Sequence, residues 1–146
     1  MGRKRHLLVD TLGLVLKADV HPADWPDRKG VRPLLEAVKG QFPRLSKIWA
    51  DQGYAGAVAR WAGEFLQVSF EIVYPWWRQI KRYHPEIYKT LDKGFKVIPK
   101  RWIVERTLAW LTFQRRLVKD YELLPETSEN LIYLAMIRIM LRRLAA

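Results

Sequence analysis

The sequence predicts a mixed α/β fold in which short strands alternate with helices. Runs rich in Leu and Val have the length of strands, longer runs place apolar residues on one helical face, and Gly or Pro separates them. The chain has 146 residues, the size of one ordinary domain, and 49% of them are hydrophobic, which is enough for a core. The predicted order is β-β-α-β-α-β, with later strands that run parallel.

The first quarter of the chain predicts a β-hairpin and a helix. Two strand-like runs, residues 5–11 and 14–20, flank a turn-forming Asp-Thr-Leu-Gly segment. Residues 21–26 are expected to form a loop, because two prolines interrupt any strand there. Asp27 is expected to cap a helix over residues 28–39. The buried face of that helix should consist of Val31, Leu34, Leu35 and Val38.

The middle of the chain predicts a strand, a tight turn, a helix and a second strand. Residues 47–51 are a short apolar run that ends in the carboxylate of Asp51. A Gly two residues later permits the turn. A helical pattern follows over residues 55–66, and residues 68–73 have strand composition.

The last third combines a basic segment with two helices. Residues 76–95 interleave cations with Trp and Tyr, and we interpret them as an insertion or long excursion. A short strand is expected over residues 95–98 and a helix over residues 101–117. Either Thr127 or Ser128 is expected to cap the final helix.

The charge of the chain narrows the classes of partner. The formal net charge is +11 and the pI is about 10.1, which favours nucleic acid first and a membrane surface second. The sequence has no Cys, which excludes a disulfide scaffold and a thiolate metal site, and its three His are far apart. No apolar run is long enough for a signal peptide or a membrane span, so a cytoplasmic, nucleoid-associated protein is expected.

Two carboxylates stand out, each with two interpretations. Asp51 ends a strand, where ligands and catalytic groups gather in open α/β sheets, but an Asp there also serves as a turn cap. Glu105 lies one turn into a helix with Arg101 at i−4, and Arg116 would share its face at i+11. It is either a metal-binding carboxylate among phosphate-binding arginines or one member of a surface ion pair.

Two further segments each have a functional and a purely structural interpretation. The interleaved cations and aromatics of residues 76–100 suit contacts to phosphates and bases, or they form a solvated loop with its aromatics in the core. His21, Asp24 and Asp27 resemble a ligand cluster, but the neighbouring prolines favour a rigid loop.

Several motifs, in order along nearly the whole chain, resemble the DDE transposases of bacterial insertion sequences. They are Gly-Arg-Lys-Arg-His-Leu-Leu-Val-Asp-Thr-Leu-Gly at 2–13, Trp-Ala-Asp-Gln-Gly-Tyr-Ala-Gly at 49–56 and Pro-Lys-Arg-Trp-Ile-Val-Glu-Arg-Thr-Leu-Ala-Trp at 99–110. Residues 115–122 and 128–144 are similar to the C-terminal segment of that family. The similarity is to the insertion-sequence four/five superfamily.

This resemblance implies a ribonuclease H-like fold, with a mixed sheet flanked by helices, and a site for Mg²⁺ or Mn²⁺. By resemblance, Asp51 is the second catalytic and metal-binding acid, Glu105 is the third, and Arg101 matches the Arg that precedes the Glu by four residues. Two signature positions differ, with Ile98 in place of Tyr and Thr112 in place of Lys. The cations around the Glu are expected to contact DNA: Lys100, Arg101, Arg106, Arg115, Arg116 and Lys119.

The first acid of the family lies on a strand that precedes the segment matched by residues 2–9. Asp10 falls in the hairpin turn and Asp19 in the next strand, so neither takes that place. We therefore expect residues 1–146 to form a partial ribonuclease H-like domain without its first strand. Such a chain is either the product of the second reading frame of an element whose full enzyme arises by frameshifting, or a truncated remnant of a transposase.

The function expected from the resemblance is cut-and-paste DNA transposition, with cleavage and strand transfer at the ends of an insertion sequence. The partners are double-stranded DNA of the transposon ends and target, with self-association or pairing with an upstream transposase segment, and no membrane. The alternative is an inactive DNA-binding remnant or inhibitor of a full-length transposase. A basic ribosome-associated protein would leave Asp51 and Glu105 unexplained.

Overall fold

The computed structural model describes residues 2–75, 77–91 and 100–145, and it has four strands and six α-helices there. The chain forms two compact units, Met1–Leu45 with Ile103–Ala146 and Ser46–Trp102. The elements are β1 (Arg3–Val9), β2 (Val15–Pro22), α1 (Asp27–Val38), β3 (Lys47–Ala50), α2 (Ala57–Leu66), β4 (Ser69–Ile72), α3 (Trp77–Tyr83), α4 (Pro85–Thr90), α5 (Arg101–Thr112) and α6 (Pro125–Leu144).

The predicted hairpin is confirmed, because β1 and β2 pair antiparallel. The carboxylate of Asp10 closes its turn by accepting hydrogen bonds from the backbone N–H of Leu12 (2.9 Å) and Leu14 (2.8 Å). The expected loop begins later than predicted, because Pro22 still pairs with Arg3. Pro is tolerated there because it lies at the last position of the strand.

Helix α1 covers the hairpin with the face that the sequence predicted. Its four predicted apolar residues are all buried. The prediction that Asp27 caps the helix is wrong, because Pro26 holds the cap position and the backbone N–H of Lys29 donates to its carbonyl at 2.9 Å. The Asp27 carboxylate instead accepts a hydrogen bond from Lys4 Nζ at 2.9 Å, which lowers the pKa of Asp27.

Two buried histidines lie where α1 meets the hairpin. The rings of His6 and His21 are 4.6 Å apart, and Trp25 stacks on His21 at 5.4 Å. The His21 ring lies directly against the Cα of Gly30, so that a Cβ at Gly30 would lie 2.6 Å from His21 Cε1. A glycine is therefore required for this close approach.

The core of the first unit lies between β2 and the C-terminal segment. It comprises Ala18, Val20, Leu111, Leu117, Ile132 and Ala135. Helix α6 begins at Pro125, so the prediction that Thr127 or Ser128 caps it is wrong. Pro suits the first turn because its missing N–H has no helical partner there. The Ser128 hydroxyl instead donates to Asp120 Oδ1 at 2.8 Å.

A half-buried ion pair links the beginning of the first unit to its end. Arg3 donates to Asp120 (3.3 Å), to the Ser128 hydroxyl (3.1 Å) and to the Leu123 carbonyl (2.8 Å). The side chains of Arg3 and Asp120 are only 19% and 11% exposed. The pair therefore orders the segment that leads into α6.

The second unit contains the predicted parallel strands, β3 and β4, joined through α2. Their register pairs Lys47 with Ser69 and Ala50 with Ile72. The basic excursion is helical over its described part, as α3 and α4. The strand predicted over residues 95–98 lies outside the described residues.

Helix α5 is shorter than predicted. It ends at Thr112, and a separate 3-10 turn, Arg115–Leu117, follows. The Thr112 hydroxyl donates back to the carbonyl of Ala109 at 2.7 Å, and the backbone N–H of Gln114 bonds to Leu111, which tightens the end of the helix. None of the described helices is long and apolar enough to cross a membrane.

We predict that Gly30→Ala destabilises the chain by about 1–3 kcal/mol, because the added methyl group would overpack the buried His21 ring. This cost exceeds the gain in helix propensity of up to about 1 kcal/mol. Urea denaturation measures it. Gly63→Ala in α2 is the matched control, because the nearest atom to its Cβ would be 3.4 Å away. Equal stability of the two variants would contradict the packing argument.

We predict that Arg3→Met costs about 1–3 kcal/mol of unfolding free energy, because it leaves the half-buried Asp120 carboxylate without its charged donor. Lys89→Met removes an exposed partner of Glu86 and should change stability by less than about 0.5 kcal/mol. Denaturation midpoints compare the two variants. A similar small effect for both would show that the Arg3 pair contributes no more than a surface pair.

Candidate active site and nucleic-acid interface

Asp51 lies directly after β3, at the carboxyl end of the parallel pair. Its Oδ1 accepts a hydrogen bond from the backbone N–H of Gly53 at 2.7 Å and caps a 3-10 turn, Gln52–Tyr54. The turn-cap interpretation therefore describes a real contact. The same contact fixes the carboxylate at the edge of the sheet where α/β proteins bind ligands.

Glu105 is an exposed residue in the second turn of α5. Arg101 precedes it by one turn on the same helix, as predicted. The prediction that Arg116 shares this face is wrong, because the helix ends at Thr112 before reaching it. The apolar residues of this helix differ in burial, since Leu111 is buried but Leu108 is 38% exposed.

The two carboxylates belong to different compact units, Asp51 to the second and Glu105 to the first. Within residues 2–75, 77–91 and 100–145, no three His, Asp or Glu side chains form a group that could hold a metal ion. His21, Asp24 and Asp27 therefore do not form the ligand cluster considered above. Carboxylate oxygens are nevertheless the donor type that Mg²⁺ prefers, so Asp51 and Glu105 fit this metal in chemistry.

Of the predicted DNA-binding cations, Arg106 has a clear structural contact. It donates to the carbonyl of Leu12 in the hairpin turn at 3.0 Å, and its guanidinium lies 4.8 Å from the centre of the Trp110 ring. Beside it, the hydroxyl of Thr107 donates to the carbonyl of Gly13 at 2.7 Å. These two residues of α5 hold the β1–β2 turn in place.

The other predicted cations differ in exposure. Arg115, Arg116 and Lys119 are exposed around the 3-10 turn, and Arg116 pairs with Glu122 at 2.6 Å. Arg101 is half-buried at the start of α5. Lys100 is exposed, and its ammonium group lies 4.9 Å from the centre of the Trp49 ring.

The basic excursion does combine cations with aromatic rings. The guanidinium of Arg78 lies 3.8 Å from the centre of the Tyr74 ring, and Lys81 lies 5.4 Å from that of Tyr88. Tyr74 and Tyr83 are exposed, whereas Tyr88 is half-buried. The rings of Trp77 and Tyr88 are half-buried and lie 5.8 Å apart, so the described part of this segment contains both exposed and packed aromatics.

Sequence reasoning did not single out Trp49, which lies two residues before Asp51. Ile48 is buried and Trp49 is 37% exposed, so β3 alternates between its two faces. The run Lys-Ile-Trp-Ala-Asp carries this signal, since its first, third and fifth residues fall on one side.

A carboxylate at the end of a parallel strand, in a strongly basic chain, is an arrangement that suits a protein acting on nucleic acid. The chain matches the transposase DDE domain family over residues 1–140, and it belongs to that family. No curated protein and no solved structure matches it. The function of this family is DNA transposition and recombination.

We predict that structural and DNA-contacting cations respond differently to neutral substitution. Arg106→Met should lower the unfolding free energy by about 0.5–1.5 kcal/mol, because the exposed Leu12 carbonyl exchanges a charged donor for water. Arg115→Met and Lys119→Met should leave stability within about 0.5 kcal/mol and each reduce the salt slope of DNA binding by about 1. Thermal melting and fluorescence anisotropy over a salt series measure these effects. An unchanged salt slope in both exposed variants would contradict their assignment to DNA.

Proposed function

We propose that the chain supplies Asp51 and Glu105 to the phosphodiester chemistry of a cut-and-paste DNA transposase on a ribonuclease H-like fold. Asp51 carries the proposal, because it lies at the carboxyl end of β3 within a chain that matches the DDE domain over residues 1–140. Glu105, on α5, is the other metal-binding acid in this proposal and corresponds to the third acid of the family. Double-stranded DNA of the transposon ends and target is the substrate, and a nucleoid location and self-association belong to the same proposal.

The residues of this chain have separate parts in that chemistry. Asp51 is held by Gly53, so the carboxylate is oriented before substrate arrives. Exposed Glu105 can approach bound DNA without a further opening of the fold. A bound Mg²⁺ or Mn²⁺ would activate the attacking oxygen and stabilise the leaving oxygen of the in-line displacement.

The cations would position the DNA backbone. Arg115 and Lys119 are exposed, and they are proposed to contact phosphates together with Lys100, Arg101 and Arg116. Arg106 is also proposed to contact phosphate, in addition to the hydrogen bond that one of its terminal nitrogens donates to the Leu12 carbonyl. Phosphate contacts set register and orientation but carry no sequence information, so they explain affinity for DNA rather than choice of site.

A second candidate function is DNA binding without cleavage, as an inactive remnant or an inhibitor of a complete transposase. One observation favours it: among the residues that the structure describes, no third carboxylate joins Asp51 or Glu105 in a metal-binding group. The two candidates differ in whether metal and Asp51 matter for what the chain does to DNA.

We predict that Asp51→Asn and Glu105→Gln each abolish metal-dependent nicking of a duplex that carries the element's terminal repeat. Both changes remove a negative oxygen donor while preserving shape, so each should also weaken Mn²⁺ binding in calorimetry. Chelation of the metal with EDTA should stop nicking by the unaltered chain. Asp24→Asn, in an exposed loop, is the matched control and should nick normally.

Each outcome separates the two candidates. Nicking that survives Asp51→Asn would refute the proposed catalytic role. Absence of nicking by the unaltered chain, with DNA binding that ignores metal and Asp51 but falls steeply with salt, would support the binding module instead.

A further inference from the structure

The outward face of the β3–β4 sheet presents a large aromatic side chain next to the proposed metal-binding acid. Trp49 is 37% exposed, whereas its neighbour Ile48 is buried on the other face. Asp51 continues the extended backbone of β3 with φ −77° and ψ 175°. Residues two apart on an extended strand share a face, so Trp49 and Asp51 lie on the same side of the sheet.

The indole of Trp49 lies beside an ion pair on the same face of the sheet. Glu71 is the register partner of Trp49 on β4, so the two side chains are neighbours across the parallel pair. Lys47 Nζ pairs with Glu71 Oε2 at 2.6 Å, and this bond is the main reason why the pKa of Glu71 is lowered. The ion pair therefore keeps a cation beside the ring.

Two ammonium groups lie over this ring. Lys47 Nζ is 5.4 Å and Lys100 Nζ is 4.9 Å from the ring centre. An exposed contact between a cation and an aromatic ring changes an equilibrium constant by about two- to fivefold. Stacking of a base on an aromatic ring is worth about five- to 150-fold, so a base can displace an ammonium group from Trp49.

The geometry points to Trp49 as a stacking platform for an unpaired nucleotide of the DNA, with Lys47 and Lys100 binding the flanking phosphates. An exposed aromatic ring with cations beside it is the combination that binds single-stranded nucleic acid. The nucleotide is unpaired because only a base that has left the duplex stack exposes a face to the indole. This inference rests on the proposed function, since it describes DNA beside Asp51.

Binding of three labelled DNA molecules to the full chain tests the platform. They are a blunt duplex, the same duplex with a short thymidine 3′ overhang, and the duplex with an overhang of abasic units. In EDTA, which prevents cleavage, the thymidine overhang should bind about five- to 150-fold more tightly than the abasic one. Trp49→Leu should remove this difference and leave binding of the blunt duplex unchanged. Trp49→Phe should keep most of it, because an aromatic ring remains.

Phe113→Leu is the matched control, because Phe113 is an 83% exposed aromatic residue of the first unit and should leave the preference intact. Lys47→Met and Lys100→Met should each lower the salt slope for the thymidine overhang by about 0.7, as expected for a single-strand phosphate contact.

Equal binding of thymidine and abasic overhangs by the unaltered chain would overturn the platform, as would a preference that survives Trp49→Leu. If blunt duplex binding is strong in either case, the proposed DNA function stands and only the platform fails. If the unaltered chain binds none of the three molecules, the proposed DNA function fails and the platform fails with it. Circular dichroism of each variant confirms that the fold is retained.

Discussion

The half-buried pair of Arg3 and Asp120 is the interaction on which the first unit depends. Arg3 lies in the first strand and Asp120 lies between α5 and α6, so one contact joins segments that are distant in sequence. The same guanidinium also reaches the Leu123 carbonyl and the Ser128 hydroxyl. These bonds hold the start of α6, and α6 in turn packs Ile132 into the core against β2. A short antiparallel hairpin would be marginal without such a covering helix.

The stable framework and the proposed chemistry use similar residue types for different purposes. Arg106 and Thr107 hold the hairpin turn from α5, the helix that also presents Glu105 to solvent. In the second unit, Glu71 pairs with Lys47 beside Trp49, while Asp51 caps its own turn. Contacts within the fold therefore distinguish cations of the same type. Arg106 is half-buried and bonds to the hairpin turn, whereas Arg115 is exposed.

Local patterns predicted most of the fold correctly where one physical effect dominates. The apolar period of α1, the Asp-Thr-Leu-Gly turn and the parallel order of β3 and β4 are all confirmed. The predictions failed where a tertiary partner competes with a local one. Asp27 bonds to Lys4 and Ser128 bonds to Asp120, so neither caps its helix. The predicted helix over residues 101–117 is longer than α5, because the apolar pattern does not distinguish the 3-10 turn at residues 115–117 from a continuing α-helix.

The sequence by itself determined the family, the basic character of the chain and the position of Asp51 after a strand. These follow from the order of the motifs and from composition, which are properties of the linear chain. Only the tertiary structure decided that Arg106 braces the hairpin and that Gly30 must admit the His21 ring. It also decided that two lysines lie over the ring of Trp49. These facts depend on which residues from distant segments meet, and burial and hydrogen-bond partners arise only when the elements pack together.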